Sequence, residues 1–412
     1  MPEPSRPLSI GEQIAFYRGQ LGLTQQDLAQ RVGRSRGWVQ NIEQGRRQID
    51  STSMILDLAE ALGVEPDRLT SKPLFPPPKS PDMPRGNVLL DLRRALLHYD
   101  GIHGYDRSDD RPPRPVAELE REVQVAGETR RRESKNFSTV VWVLPGLIRD
   151  TRHAARHAQE DSGERRAAWS VLARLYGLAA ALLWQYGDDD LGWIAADRSI
   201  RTAEQADSPL LVAASARVMQ QLLLAQGDLD SVIDLTESAG QLIAPGKDAP
   251  PEQLIIWGNL QLIGAFAAAR AKDFREHARL HDLSEHAAER LGEDSMYLGF
   301  NFGPGDVALQ HVGELVELEQ PTKALRLAEE LPDDPLPQVD RRAFHRIHKA
   351  RAQYLRHRDR ETTDLLMEAW QIAPELVPYE PMTFEMIRAM LARARYRTNP
   401  NLRTLGERVG LI

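Results

Sequence analysis

Apolar residues recur at spacings of three and four along most of the chain, which is the periodicity of amphipathic α-helices. Alanine, leucine, arginine and glutamate are abundant, and these residues favour helices. No alternating run of valine, isoleucine and threonine indicates a sheet. The pattern therefore predicts an all-α fold.

Beyond residue 115 the periodic stretches form pairs that are separated by short turns, for example at residues 226–228 and 271–273. The turns recur about every forty residues, and a single unit of that length cannot bury its own apolar face. Stacking of neighbouring units buries these faces, so the sequence predicts an α-solenoid of helix pairs.

Two proline-rich stretches divide the helical pattern, because proline lacks the backbone donor that a helix needs and clashes with the preceding turn. The first, residues 72–84, is the clearest linker between domains. The second, residues 106–115, is predicted to be a loop inside the larger domain. The predicted organisation is an N-terminal helical domain at residues 1–71, the linker at 72–84, and a helical-repeat domain at 85–412.

Composition narrows the class of protein. The net charge of −8 argues against a chain that coats nucleic acid along its whole length, so any such contact is local. The absence of cysteine excludes disulfides, thiolate metal sites and cysteine nucleophiles. No run of about eighteen uncharged apolar residues is present, and the first residues lack a signal pattern. These features predict a cytoplasmic protein that does not contact membranes, and the arginine and alanine bias indicates a bacterial source with a GC-rich genome.

The segment from Leu8 to Leu69 is predicted to form five short helices. Thr24 and Ser35 are suited to cap the second and third of them, because their hydroxyls can accept from the first free backbone amides. Gly33 supplies the tight turn between these two helices, and the third ends at Gly45. The pattern indicates two short helices joined by a glycine turn.

On the third helix, Val39 and Ile42 face inward and leave a polar face outside. A helix presented in this way can place its side chains in a DNA major groove, which is about 12 Å wide. The stretch from Arg31 to Arg47 holds five arginines and one acidic residue, so its local field is positive. The sequence therefore predicts a DNA-binding helix-turn-helix whose outward-facing residues are Arg36, Trp38, Gln40 and Asn41.

The resemblance of this segment to the Xre family of Cro-type and phage-repressor domains is carried by GLTQQDLAQRVGRSRGWVQNIEQGRRQIDSTSMILDLAEALGV. It covers about sixty residues. The Leu-Thr-Gln at 23–25, the Ile-Glu-x-Gly-Arg at 42–46 and the Leu-Ala-x-Ala-Leu-Gly at 58–63 stand in register with that family.

The resemblance implies roles for individual residues. Base edges of a double-stranded DNA operator are expected to contact Arg36, Trp38, Gln40 and Asn41. Phosphates are expected to contact Gln25, Arg34, Arg46 and Arg47. A structural ion pair is expected between Arg18 and Glu43, orienting the third helix. Gly37 and Trp38 depart from the small polar residues that are usual in the family.

The whole architecture resembles bacterial regulators, including actinobacterial ones, in which an Xre domain is fused to tetratricopeptide-like repeats. Some members of that group bind signalling peptides, so the resemblance implies a sensor domain. The first helix of each repeat lines the concave face in tetratricopeptide folds. Candidate contacts to an effector, which could be a peptide or a small molecule, are Arg217, Gln220, Trp257, Asn259 and Gln261.

Two histidine pairs, at 153/157 and 277/281, have the one-turn spacing at which two side chains of a helix can coordinate the same metal ion. No acidic third ligand is evident at a fixed spacing from either pair, so surface or interface histidines are predicted rather than a metal site. No cofactor is predicted. The sequence also lacks a phosphate-binding glycine loop, a nucleophile elbow and a dinucleotide fingerprint, which predicts that the protein is not an enzyme.

Two functions fit these features. The first is a transcriptional regulator that binds its operator as a homodimer and responds to an effector through the repeats. A homodimer is expected because an operator with two symmetric half-sites is bound by two copies of the DNA-binding domain. The alternative is a DNA-tethered scaffold whose repeats bind a partner protein such as a toxin or a sigma factor.

Overall fold

The computed structural model describes residues 10–46, 49, 52–62, 64, 69, 87–98, 112–132, 136–160, 162–185, 188–331, 338–393 and 399–412. Within these ranges the chain forms nineteen α-helices and one small hairpin, so the predicted all-α class is confirmed. The predicted linker at 72–84 lies outside the described residues, as does most of the predicted loop at 106–115.

Four helices form the N-terminal domain: α1 Ile10–Gln20, α2 Gln25–Arg31, α3 Arg36–Glu43 and α4 Thr52–Leu62. Thr24 caps α2 through a reciprocal pair of bonds with Asp27, and the Ser35 hydroxyl accepts from the Trp38 amide to cap α3. Gly33 has a φ of +61°, which a glycine adopts without strain and which the turn between α2 and α3 requires. The core is formed by side chains from all four helices, including Ile14, Leu28, Val39, Ile42 and Leu58.

The fifth helix that the sequence predicts in this domain falls largely on residues outside those described.

Fifteen helices follow in the rest of the chain. They are α5 Asn87–Leu96, α6 Val116–Arg132, α7 Asn136–His157, α8 Gly163–Gln185, α9 Asp189–Gln205, α10 Pro209–Gln226, α11 Leu229–Leu242, α12 Pro251–Ala271, α13 Phe274–Leu291, α14 Pro304–Glu317, α15 Pro321–Glu330, α16 Val339–Leu355, α17 Asp359–Ile372, α18 Pro381–Ala392 and α19 Pro400–Arg408. A 3₁₀ turn at Val377–Tyr379 precedes α18.

Each helix from α6 to α17 packs on the next one in the chain, and the even-numbered helices also pack on one another in the order α6, α8, α10, α12, α14, α16 and α18. This is the order of contacts expected of stacked helix pairs. Helix α16 also contacts α6, so the row of even-numbered helices curves back towards its start. The curvature encloses space between them.

The turns inside the pairs have the chemistry that their sequences predict. Gly227 and Lys272 end α10 and α12 in the left-handed conformation, with φ of +81° and +64°. Asp228 and Asp273 then cap the following helices by accepting from backbone amides. Asp188 caps α9 in the same way, because its side chain accepts from the Leu191 amide.

One antiparallel hairpin interrupts the helices, formed by β1 Ser295–Tyr297 and β2 Phe300–Phe302, with Tyr297 paired to Phe300. Its two turn residues, Leu298 and Gly299, have φ of +48° and +90°, as a tight two-residue hairpin requires. The apolar and polar pattern contains no indication of these strands, because each has only three residues. Phe302 is fully buried against Gly258 of α12, which fixes the hairpin on that helix.

Two stretches, Gly163–Trp184 and Pro251–Ala271, are long and apolar enough to cross a membrane. Within the fold, however, 61% and 83% of their apolar windows are buried. Both are central helices of the row described above, and burial against other helices explains their composition.

Candidate nucleic-acid interface and ligand cavity

Helix α3 presents a solvent-facing polar surface. Arg36, Gln40 and Asn41 are exposed, whereas Val39 and Ile42 on the opposite side are buried at 1% and 2% exposure. The helix has eight residues, so these exposed side chains lie on its first two turns. Such a helix offers hydrogen-bonding groups that can reach base edges in a major groove.

Trp38 is half-buried and packs against the core of the domain. The Arg34 guanidinium lies 5.9 Å from the centre of its ring, within the range of a cation–π contact. Part of the indole therefore supports α3, and part remains at the surface beside an exposed arginine.

The carboxylate of Glu43, at the end of α3, links this helix to α1 and to the start of α2. Arg18 donates from Nε to Glu43 Oε1 at 2.6 Å and from Nη2 to Oε2 at 3.0 Å, so the implied ion pair is present and bidentate. The hydrogen bond with Glu43 raises the pKa of Arg18. Gln25 Nε2 donates to the same Oε2 at 2.8 Å, which places the predicted phosphate-binding amide inside this network. The orientation of α3 is thus tied to the two helices that precede it.

Two of the three predicted phosphate-contacting arginines lie near this surface. Arg34 and Arg46 are exposed at the two ends of α3. Arg47 lies outside the described residues. Exposed arginines at both ends of a recognition helix are suited to contact the two phosphate backbones that border a groove.

One comparison with known proteins bears on this surface. The model of a family described as "Helix-turn-helix domain" matches residues 9–71. The match supports a helix-turn-helix DNA-binding regulator. Among curated proteins, none matches the chain.

The curved row of even-numbered helices lines a cavity of about 270 Å³ that is partly open to solvent. Residues of α6, α8, α10, α12, α14 and α16 line it, together with the hairpin. Its wall combines aromatic rings with cationic groups, namely Trp184, Phe266, Phe300, Phe344, Arg130, Arg217, Arg270 and Arg341.

Arg217 lies at the centre of the polar contacts in this wall. Its Nε donates to Asn259 Oδ1 at 3.2 Å, and its guanidinium lies 5.8 Å from the centre of the Phe300 ring. The Asn259 amide in turn donates to the carbonyl of Asn301, which ties α12 to the hairpin. Burial and, to a smaller extent, the neighbouring Arg341 lower the pKa of Arg217 to about 9, so the site disfavours an uncompensated positive charge.

Two carboxyl groups modify this charge. Asp306 Oδ1 lies 2.8 Å from Arg341 Nη1, and burial raises the pKa of Asp306 to about 6 although Arg341 opposes the shift. Glu380 lines the cavity directly, and burial raises its pKa to about 7, with Arg270 opposing. Since a protonated Glu380 is neutral, the cavity becomes more cationic as the pH falls below 7.

Of the five predicted effector-contacting residues, Arg217 and Asn259 line the cavity. Gln220 is fully buried elsewhere, where it donates to Thr236 Oγ1 at 2.6 Å. Trp257 and Gln261 are not among the lining residues; Trp257 packs in an apolar cluster and Gln261 is buried beside Gly240.

Helix phase explains which side chains reach the cavity. On α12 the lining positions are Asn259, Ile263, Phe266 and Arg270, which are spaced by four, three and four and therefore form one stripe. Residues 257 and 261 are two positions away from Asn259, and so they point to the other side of the helix. The same stripe could be found from sequence, whereas Phe300 and Arg341 could not, because they come from the hairpin and from α16.

Proposed function

We propose that the protein is a sequence-specific transcriptional regulator of the Xre type that reads double-stranded DNA with α3 and senses an effector in its repeat domain. A DNA-binding domain of this kind acts on the chromosome, which implies a cytoplasmic location in a bacterium. The observation that carries the proposal is the exposed face of α3, held in place by the buried Glu43 contacts with Arg18 and Gln25.

The exposed side chains of α3 have the chemistry of direct base readout. The amides of Gln40 and Asn41 can each donate and accept at an adenine edge, and the Arg36 guanidinium can donate twice to guanine. Arg34 and Arg46 can neutralise phosphates without reading sequence. The two groups should therefore respond differently to substitution.

The test is selection of bound sequences from a random duplex library by the full chain, followed by affinity measurements over a range of salt concentrations. Arg36→Ala and Asn41→Ala are each expected to cost about 1–3 kcal/mol on the selected sequence and to relax the preference at one position. Arg46→Ala should weaken all sequences and reduce the salt slope by about one phosphate contact.

Arg403→Ala is the matched control. It removes the same charge as Arg46→Ala, and Arg403 is exposed on α19, far along the chain from α3. It should leave DNA affinity unchanged. Selection of the same sequence with the same affinity by the Arg36→Ala/Asn41→Ala double variant would contradict the proposed reading face.

We further propose that the cavity binds a small molecule with an anionic or carbonyl group and an apolar body. Its volume of about 270 Å³ is close to the lower end of small-ligand sites and is small for a peptide. The anionic group would face Arg217 and Arg341, and the apolar part would contact Phe266, Phe300 and Phe344.

A thermal-shift screen of carboxylate-bearing metabolites on the full chain tests this site. A true ligand should raise the melting temperature of wild type and of Arg201→Ala, whose side chain is exposed on α9, and should lose its effect in Asn259→Leu. A ligand that stabilises Asn259→Leu equally binds elsewhere.

Homodimerisation is the third part of the proposal. Helix α7 exposes Trp142 and Val143 at 59% and 47%, and α6 exposes Val125 at 61%, so neighbouring helices offer apolar surface to a second copy. Light scattering should give twice the monomer mass for wild type and the monomer mass for Trp142→Ser. A monomeric wild type would exclude homodimerisation and leave the proposals on DNA binding and effector binding unaffected.

A further inference from the structure

Four metal-ligating side chains meet where α13 packs against α14. His277 and His281 lie one turn apart on α13, and His311 and Glu314 lie three residues apart on α14. Their ligand atoms all lie within 4.8 Å of one another. Glu314 Oε2 lies 3.0 Å from His277 Nε2, 2.8 Å from His281 Nδ1 and 3.1 Å from His311 Nδ1.

The Glu314 carboxylate lies in the interior of the fold. Its side chain is 0% exposed, and Oε1 accepts no hydrogen bond from any described residue. His281 Nδ1 is likewise buried and lies 2.8 Å from the carboxylate. Three imidazoles thus surround one carboxylate oxygen, and Glu314 Oε1 is left without a hydrogen bond from the described residues, which is costly for a buried group.

A zinc ion would give the three imidazole nitrogens and the carboxylate a common partner. Imidazole nitrogens and carboxylate oxygens are ordinary zinc ligands, at about 2.0–2.2 Å in tetrahedral geometry. Ligand atoms at that radius lie roughly 3.3 Å from one another. The observed contacts to Glu314 Oε2 are slightly shorter than this, and all four donors lie within 4.8 Å of one another, so their spacing is close to that of a tetrahedral zinc shell.

We propose that His277, His281, His311 and Glu314 form a zinc site. Four protein ligands complete the tetrahedral shell, which is the pattern of structural rather than catalytic zinc. This site supplies the acidic ligand that the spacing around His277 and His281 lacks, because the ligand comes from the next helix. The proposal does not depend on the proposed effector or on DNA binding.

The site would act as a clamp between α13 and α14. Gln310, next to His311, lines the cavity. Glu317, one turn after Glu314, accepts from Arg270 and Arg351, which links α14 to α12 and α16. Occupancy by zinc would therefore stiffen the helix that borders the cavity on this side.

The test uses the tag-free full chain after removal of metal by a chelator, titrated with zinc chloride in a calorimeter. Wild type is expected to bind one zinc ion per chain, and loss of one ligand in Glu314→Gln or His281→Asn should weaken binding by about 100-fold. His286→Ala is the matched control, because His286 lies on α13 but is 70% exposed and outside the cluster, and it should bind zinc as wild type does.

Cobalt(II) provides a second readout that reports coordination directly. The wild-type complex should show the intense visible absorption of a four-coordinate ion, and His311→Asn, a change at the partly exposed edge of the cluster, should alter that spectrum. Circular dichroism will show whether Glu314→Gln folds. If it does not, the cobalt spectrum of His311→Asn decides whether the cluster binds the metal. Absence of stoichiometric zinc binding by wild type, or a cobalt spectrum that His311→Asn leaves unchanged, would overturn the proposal.

Discussion

Replacing Gly258 by alanine tests how the hairpin is fixed on α12. An alanine Cβ at this position would lie 2.0 Å from Phe302 Cζ and 2.3 Å from Cε1. Ordinary carbon–carbon contacts lie at about 3.5–4.0 Å, so the ring would have to retreat by roughly 1.5 Å. Phe302 is fully buried, and its site has no room for a displacement of that size. The substitution should expel the ring rather than shift it.

The magnitude follows from two opposing terms. Loss of a buried phenylalanine from a core costs about 3–5 kcal/mol. Alanine in place of glycine inside a helix returns about 1 kcal/mol, because glycine is the poorer helix former. The free energy of unfolding should therefore fall by about 2–4 kcal/mol, although helix propensity alone predicts a small rise.

Thermal and chemical denaturation of the full chain measure this change, and the melting temperature should fall by several degrees. Gly146→Ala on α7 is the matched control, because a Cβ there meets no atom within 4 Å, and it should stabilise the chain by up to about 1 kcal/mol. The double variant Gly258→Ala/Phe302→Leu should recover part of the loss, since the two residues interact directly. A Gly258→Ala variant as stable as wild type would refute the close packing of the hairpin on α12.

Other changes test separate features. Thr24→Ala should destabilise α2 by about 1 kcal/mol, seen as faster amide exchange in that helix, because it removes the capping hydroxyl. Glu43→Gln should cost about 1–3 kcal/mol and weaken DNA binding, because Arg18 loses its charged acceptor; unchanged exchange in α3 would contradict this. Glu380→Gln should stabilise the chain at pH 8 but not near pH 4.5. The raised pKa of Glu380, about 7 when folded, means that the folded chain holds a proton that the unfolded chain releases, so wild-type stability falls as the pH rises from about 4.5 to 7.

The helix-turn-helix is the part of the molecule that the sequence predicts best. Its signals are local: Thr24 and Ser35 cap their own helices, Gly33 forms its own turn, and Val39 and Ile42 face inward because of the helix period. Each of these relations involves residues at most a few positions apart. Arg47 and most of the stretch after residue 62 fall outside the described residues.

The helices that follow residue 85 are predicted less completely. The turns at Gly227 and Lys272 stand where the sequence places them, because a left-handed residue followed by a capping aspartate is also a local signal. The side chains that line the cavity are predicted only in part. An error of one or two positions in helix phase corresponds to a rotation of about 100–200° around the helix axis. For this reason Gln220 and Gln261, which are predicted effector contacts, point away from the cavity, whereas Arg217 and Asn259 do line it.

The sequence by itself determined the helices, their caps and turns, and the polar face of α3, because backbone hydrogen bonds and helix periodicity act over a few residues. Only the tertiary structure decided which distant groups meet. His277 and Glu314 are 37 residues apart in the chain, and Arg217 and Asn259 are 42 apart, yet each pair is in contact. Such contacts depend on how far each helix pair rotates against the next, and that rotation is set by side-chain packing over the whole row of helices rather than by any single segment.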